Sequence, residues 1–453
     1  MSFDLPKLPD GWEYRPLDQL SKPSSVTYGV VQPGSALSAG VPIIRVNNFR
    51  DGRIELADLM RIDPAIEGKY GRTRLKGGEV LLTVVGSVGQ VAVAPKTVSG
   101  FNVARAVAVI HPEDHVEPEW IALCLRSPLS QHLLGSRANT TVQTTINLKD
   151  LRALPIPLPP ARERREIASV MSALDDRITL LRETNATLEA IAQALFNSWF
   201  VDFDPVRAKA EGRQPEGMDA TTAALFPDSF EESEQGLVPE GWRMSTLGAI
   251  CDANGGAIQT GPFGSQLHAS DYVADGVPVV MPKDISNRRI DAITAARVGR
   301  EDVQRLARHQ LRDGDIVFSR RGDVEKHALI GEAERGWLCG TGCLLVRPGS
   351  RRNVAGFLSR SLDLPNIKKW LTQHAVGATM PNLNTGILSA VPVVLPTDEV
   401  LTAFDQAISV LDRRISAGNA AAQTLTQLRD TLLPRLISGQ LRLPATTECK
   451  DAE

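Results

Sequence analysis

Apolar positions along the chain form two kinds of run. Short stretches of Val, Ile and Leu, such as VPIIRV (41–46), EVLLTVV (79–85) and ARAVAVI (104–110), are broken by Gly, Pro, Asn and Asp. They predict strands with tight connections. Helical patches, EPEWIALCLRS (117–127) and NVAGFLSRSL (353–362), interrupt them, so these regions are predicted to mix α and β. Each region ends at a proline-marked edge, PIPLPP (155–160) or PVVLP (392–396), and hands over to a long segment of helical period.

Residues 161 to about 200 contain neither Gly nor Pro, and Met171, Leu174, Ile178, Leu181, Leu188 and Leu195 fall on steps of three and four or their multiples. Asn185 and Ala192 take the remaining core places of that heptad. A second segment repeats the pattern with Ile408, Leu411, Ile415, Gly418, Ala422, Leu425, Arg429 and Leu432. A stripe held for about 40 residues, or about 60 Å of helix, outruns the face of a small domain. An intramolecular antiparallel coiled coil is expected, with a globular domain at each end.

The two helices belong to a longer repetition. LPDGW (8–12) is answered by VPEGW (238–242), and GVPIIRVNNFRDGRI (40–54) by GVPVVMPKDISNRRI (276–290). LKGGEVLLTVVGSVG (75–89) matches LRDGDIVFSRRGDVE (311–325) at an offset of 236, and INLKDLRALPIPLPP (146–160) matches LNTGILSAVPVVLPT (383–397) at 237. A period of that size is a duplicated module, not a solenoid. The expected fold class is α+β: two mixed α/β domains joined by two long helices in an antiparallel coiled coil, with an internal pseudo-twofold repeat. The expected divisions are 1–158 and 238–397 for the globular domains, 159–203 and 398–441 for the helices, 204–237 for a linker and 442–453 for a tail.

Length and composition fit this picture. At 453 residues, with 42% hydrophobic and 23% charged positions, the chain suits a multidomain globular protein. No apolar run approaches the about 20 residues of a membrane span, and the start lacks a secretory signal. A cytoplasmic protein that avoids membranes is expected, and five scattered cysteines suit a reducing compartment. The formal charge of −3 is unevenly spread. Residues 1–155 and 238–396 carry +2 and +4, while 156–237 and 397–453 carry −7 and −2. Basic repeats with acidic connecting segments suit nucleic acid on one set of surfaces and a protein partner on another.

Catalytic motifs do not accumulate. HPEDH (111–115) has two histidines at helical metal spacing, but its proline follows a strand-like run, which predicts a turn. Cys339 and Cys343 lack a second pair and read as buried strand cysteines. NGGAIQTGPFGS (254–265) has no Lys-Ser/Thr tail, and Gly86 and Gly89 in VVGSVG (84–89) read as turn glycines. No catalytic residue and no metal ligand is assigned, and no cofactor site is expected in this chain.

Where the frame repeats, the loops diverge: VTYGVVQPGSALSAG (26–40) stands opposite GGAIQTGPFGSQLHASDYVADG (255–276), and VGSVGQVAVA (85–94) opposite RRGDVEKHAL (320–329). One task performed on two targets would produce that division. Over nearly its whole length the chain resembles the specificity subunit of type I restriction-modification systems. The resemblance rests on LPDGW and VPEGW, TTINLKDLRALPIPLPP (144–160), LFNSWFVDFDPVRAKAEG (195–212), LFPDSFEESEQGLVPEGW (225–242) and LRDTLLPRLISGQL (428–441). One departure is Glu163-Arg164 after the first proline edge, where the family commonly has Glu-Gln; the second half has Glu399-Val400.

The resemblance implies that each globular part is a target recognition domain reading half of a bipartite, asymmetric site in double-stranded DNA. It implies that the helices set the spacer and dock two methyltransferase subunits, through which restriction/translocase subunits join. S-adenosylmethionine, ATP and Mg would then belong to the partner subunits, with adenine N6 as the methylated atom. Base edges are read by Arg, Lys, Asn and Gln, and phosphates by Arg, Lys, Ser and Thr. On that chemistry the candidates in the first domain are Tyr28, Gln32, Arg45, Asn47, Asn48, Ser87, Gln90, Arg105, Arg137, Thr140, Gln143 and Thr144. Those in the second are Gln259, Thr260, Ser265, Gln266, His268, Lys283, Arg320, Arg321, Lys326, His374, Asn382 and Asn384. Two other classes stay open: a coiled-coil adaptor without DNA specificity, and a self-contained DNA-modifying enzyme.

Overall fold

A computed structural model describes residues 5–136, 139–140, 144–233, 236–292, 294–349, 352–377 and 379–444. The chain divides into two compact units, residues 1–183 with 418–453, and residues 184–417. In the first unit a four-stranded antiparallel sheet runs in the order Thr27–Tyr28, Val107–Ile110, Val80–Thr83, Val91–Val93. A three-stranded sheet places Val41–Ile44 between antiparallel Met60–Ile62 and parallel Asn102–Val103. Val80–Thr83 is buried throughout because the sheet is covered on both faces. Val80 and Leu82 enter a core with Trp120, Ile121 and Leu125 of the helix Pro118–Arg126, while Leu81 turns the other way towards Phe49, Val98 and Val103.

The second unit repeats these pairings almost residue for residue. Val41 opposite Ile62 becomes Val277 opposite Val298, and Val80 opposite Val93 becomes Ile316 opposite Leu329. Val107 opposite Thr83 becomes Cys343 opposite Ser319, and the parallel Ile44–Val103 pair becomes Val280–Cys339. Each match is shifted by 236, so the sequence repeat is a repeat of sheet register. The strand Ile316–Ser319 is again sorted between two cores, with Ile316 and Phe318 on one side and Val317 on the other. Cys339 and Cys343 are buried strand residues, and HPEDH lies outside helix and named strand.

The long helices span Ala161–Phe200 and Asp398–Ile437. Within the first unit they run antiparallel: Glu163 meets Arg442 just beyond the second helix, and Asp175 meets Arg429. Within the second unit Asn185 Nδ2 donates to the Ile415 carbonyl at 3.2 Å, and Phe196 packs on Phe404 with ring centroids 5.8 Å apart. Met171, Ile178, Asn185 and Ala192, seven residues apart, are buried, and the intervening Leu174, Leu181, Leu188 and Leu195 are half-buried. Opposite them Ile408, Ile415 and Ala422 are buried, and Leu411, Leu425 and Leu432 are half-buried.

The 204–237 segment, expected as a linker, is folded over its described residues. It forms the helices Asp204–Ala210 and Ala220–Ala224 and begins a hairpin, and Val206 and Phe226 join the core of the second unit. Phe226 packs edge-on against Trp199 at 5.0 Å. Sequence reasoning took the acidic, Gly- and Pro-containing composition for a connector, whereas its few aromatic and aliphatic residues are enough to anchor it.

Phe404 is fully buried and packs on the rings of Phe196, Trp199 and Phe200. Phe404→Ala leaves a cavity there and is expected to lower stability by about 3–5 kcal/mol. Denaturant unfolding followed by tryptophan fluorescence, to which Trp199 contributes, measures it; a loss below about 1 kcal/mol would contradict this packing.

Candidate nucleic-acid interface

In the first unit the turn after strand Val41–Ile44, the loop 84–90 and the turn 104–106 surround an open cleft of about 540 Å³. Its lining includes Arg45, Asn47, Phe49, Ser87 and Gln90, so four candidates from the sequence meet in one place. The loop is pinned from below: Thr83 Oγ1 donates to the Ser87 carbonyl at 2.6 Å and accepts from Gln90 N at 2.9 Å. Gly89 turns the loop at φ 94°, a left-handed conformation that favours glycine, and lies against Gln131. Ser87, Gln90 and Asn47 are exposed above this frame. Arg45 is half-buried, reaches the Asp58 carboxylate at 3.5 Å, and keeps its Nε without a partner. A second cleft of about 460 Å³, sharing Phe49 and Gln90, is lined by Arg50, Arg126 and Arg429. Sequence reasoning did not place these three arginines at a site, although a charge at the heptad core place of Arg429 was a usable signal.

Other candidates of this unit lie elsewhere. Gln32 and Arg105 are exposed. The Tyr28 hydroxyl donates to the Ile146 carbonyl at 3.2 Å. Asn48 is buried: its Oδ1 accepts from Arg45 N, and its Nδ2 donates to the carbonyls of Glu55 and Asp58. At the matching place in the second unit Asp284 accepts from Met281 N, so this position holds the turn in both copies. Arg137 and Gln143 lie outside the described residues, and of Thr140 and Thr144 only the backbone is described, in the short strands 139–140 and 144–145.

In the second unit the shift of 236 puts Met281, Lys283, Asp323 and Lys326 where the first has Arg45, Asn47, Ser87 and Gln90. Lys283 Nζ donates to the Thr294 carbonyl at 3.1 Å, and Lys326 pairs with Asp323 at 3.2 Å. Arg321 and Ser265 are exposed, and Arg320 and Asn382 are half-buried. Thr260 pairs in the sheet with Leu344, and the neighbouring Gln259 donates through Nε2 to the Arg308 carbonyl at 2.6 Å. Gln266 Oε1 accepts from Phe263 N, and His268 is exposed beside them. His374 stacks on Trp370 at 3.9 Å. Asn384 Oδ1 accepts from Ile387 N and caps the helix Thr385–Ser389, as Asn147 caps Leu148–Arg152 in the first unit. Asn48 therefore serves the backbone, where the sequence reading had it facing DNA, while Asn384 is exposed and gives its Oδ1 to the cap.

Among the described residues no group of three or more His, Cys, Asp or Glu side chains is gathered as for a metal ion. No helix of the described residues is long and apolar enough to cross a membrane.

A family model described as the type I restriction modification DNA specificity domain matches residues 9–190 and again 239–418. The chain is similar to the type I restriction enzyme HindI specificity subunit of Haemophilus influenzae, 26% identical over 412 residues, with 81% of this chain and 87% of that one covered. It is 32% identical over 198 residues to the EcoBI specificity subunit of Escherichia coli, covering 41% and 42% of the two chains. The MjaIX specificity subunit of Methanocaldococcus jannaschii is 22% identical over 366 residues, covering 81% and 78%. In fold, the chain is similar to the crystal structure of a type I restriction-modification S subunit from M. genitalium. The TM-score is 0.59 at 17% identity, over 97% of this chain and 99% of that one.

One titratable group bears on the candidate loops. His309, buried beside Thr260, accepts at Nε2 from Arg308 Nε at 2.9 Å, which requires the unprotonated ring. Burial first, and then the Arg308 charge, push its pKa down to about 4. The unfolded ring titrates near about 6.5, so its contribution to stability is intact above that pH and is lost as pH falls towards about 4. His309→Gln should flatten the fall of the denaturation midpoint between pH 6.5 and pH 4 relative to the unaltered chain. Parallel pH profiles for the two would contradict this assignment.

Proposed function

The chain belongs to the type I restriction modification DNA specificity family, and from that premise we propose that each of its globular domains reads one half of a bipartite, asymmetric DNA site. As a specificity subunit it supplies sequence recognition to a larger complex. The observation that carries the two-domain reading is the contrast between frame and loops. Strand registers repeat at a shift of 236, while the loop positions on that frame change chemistry: Asn47 to Lys283, Ser87 to Asp323 and Gln90 to Lys326. Amide side chains pair with adenine edges and lysines with guanine edges or phosphates. Two equal frames carrying unlike donors suit two unlike half-sites, and the net basic charge of both repeats suits the phosphate backbone.

The two 40-residue helices act in this reading as the ruler between half-sites and as the dock for two methyltransferase subunits, with restriction/translocase subunits joining through them. Methyl transfer to adenine N6, with S-adenosylmethionine, and ATP-driven work with Mg fall to those partners. The target base is flipped into the methyltransferase, and this chain contributes position alone.

The test is a map of N6-methyladenine in cells free of other methyltransferases, with the methyltransferase subunit expressed alone and beside this chain. A bipartite motif that appears only when both are present is the expected result; a verified, active complex without one would favour the adaptor reading. Inserting one heptad into each long helix should lengthen the spacer and leave the half-site bases unchanged. Altered half-site bases would remove the ruler role.

A further inference from the structure

We infer that Arg320 is a base-reading residue of the second domain, directed at the guanine of one base pair in its half-site. The inference rests on the function proposed above and adds the position and the base. In both units the strand that ends at Thr83 or Ser319 continues into a residue held by two backbone hydrogen bonds. Val84 N donates to the Ala106 carbonyl and its carbonyl accepts from Ile146 N; Arg320 N donates to Gly342 and its carbonyl accepts from Leu383 N, all at 2.8–2.9 Å. The backbone site is the same and the side chain is opposite in character. Val84 is fully buried in the first core, following Val80 and Leu82. Arg320 stands at that place after Ile316 and Phe318, and it is half-buried.

A half-buried guanidinium normally meets a carboxylate, since desolvating an unpaired charge is costly. Other shielded arginines of this unit do: Arg288 pairs with Glu189, Arg347 with Asp315 at 2.7 Å, and Arg360 with Asp412 at 2.9 Å. Arg320 has no ion pair and no side-chain hydrogen bond among the described residues, and its Nε is buried without a partner. The residues flanking its two backbone bonds carry the same signature. Thr341, next to Gly342, has an unpartnered buried Oγ1, and Asn382, next to Leu383, an unpartnered buried Oδ1. Asn382 is bridged to Arg321 and shares its face, so among the described residues Arg320 alone stands unanswered where the first domain has the filled apolar place of Val84. Gly342 also abuts Pro282, at a Cβ distance of 3.4 Å, and the matching residues of the first unit, Ala106 and Val46, line the open cleft. Through its bond to Gly342, the Arg320 backbone thus lies beside the turn that carries Lys283. A planar fork of donors fits O6 and N7 of guanine.

The test compares methylation motifs for the complete methyltransferase complex carrying the unaltered chain, Arg320→Val or Arg320→Gln. Valine is the residue the first domain places on this frame, and thermal melting of the full chain reports folding. With Arg320→Val, one G·C position of one half-site should lose about ten- to a hundredfold in discrimination, with the other half-site unchanged. Arg320→Gln, should the valine variant fail to fold, moves the same position from guanine towards adenine. An unchanged motif in the folded variants would overturn the inference and leave the proposed function standing. So would a loss of affinity equal for all sequences, with the salt dependence reduced by about one phosphate contact. The absence of any motif with the unaltered chain would remove both.

Discussion

Each repeat hangs on one carboxylate of a long helix that a globular-domain arginine must neutralise. In the first unit it is Asp175, which accepts from Arg126 of the globular domain at 2.8 Å and from Arg429 of the antiparallel helix at 3.0 Å. Burial by itself would raise the pKa of this group, and the two guanidinium groups outweigh it and hold the carboxyl below its ordinary range. In the second unit Asp412, 237 residues on, meets Arg360, one of the largest fully enclosed side chains. An ion pair of this kind adds little net stability, because desolvation offsets much of the attraction. It supplies register: an unpaired charge is so costly that the helix can seat against its domain in one way.

The loop edge of each domain is tied to the same helices by further ion pairs. The hairpin Phe49–Ile54 turns through Asp51 and Gly52, both at positive φ, and Asp51 pairs with Arg182 while Arg53 pairs with Asp176, each at 2.5 Å. Its counterpart turns through Asn287 and Arg288, at φ 48° and 58°, and Arg288 and Arg289 both meet Glu189. Arginine in the left-handed region carries a backbone cost that glycine avoids at Gly52. The contact with Glu189 and the nearby Asp363 offsets it. Loops that read a base need such rigid support, since misplacement by about an ångström empties a hydrogen bond of its selectivity.

The repeat also separates frame residues from readers, and this separation was only partly used at the level of sequence. Asn147 and Asn384 align and cap equivalent helices, and Asn48 and Asp284 align and hold equivalent turns. Polar residues that keep their chemistry across the duplication serve the backbone in these cases. Those that change it, such as Asn47 to Lys283 and Val84 to Arg320, are where the two domains differ in what they can hold. Applied in advance, that comparison would have withdrawn Asn48 from the candidates.

By itself the sequence determined the duplication, the mixed α and β character of each half, the strand runs and the two heptad helices. Those features are encoded in local periodicity, which a chain expresses wherever its apolar residues recur at a fixed step. It also determined the divergence of the loops, and with it the family. Tertiary structure alone decided that the 204–237 segment packs into a core, because a few aromatic contacts there outweigh a polar composition. It alone gathered Arg45, Asn47, Ser87 and Gln90 around one cleft, since sheet order brings together turns far apart in the chain. And it alone showed that the Arg320 side chain has no partner among the described residues: a residue's identity states which bonds it can make, and only the packed neighbours state which of them are already taken.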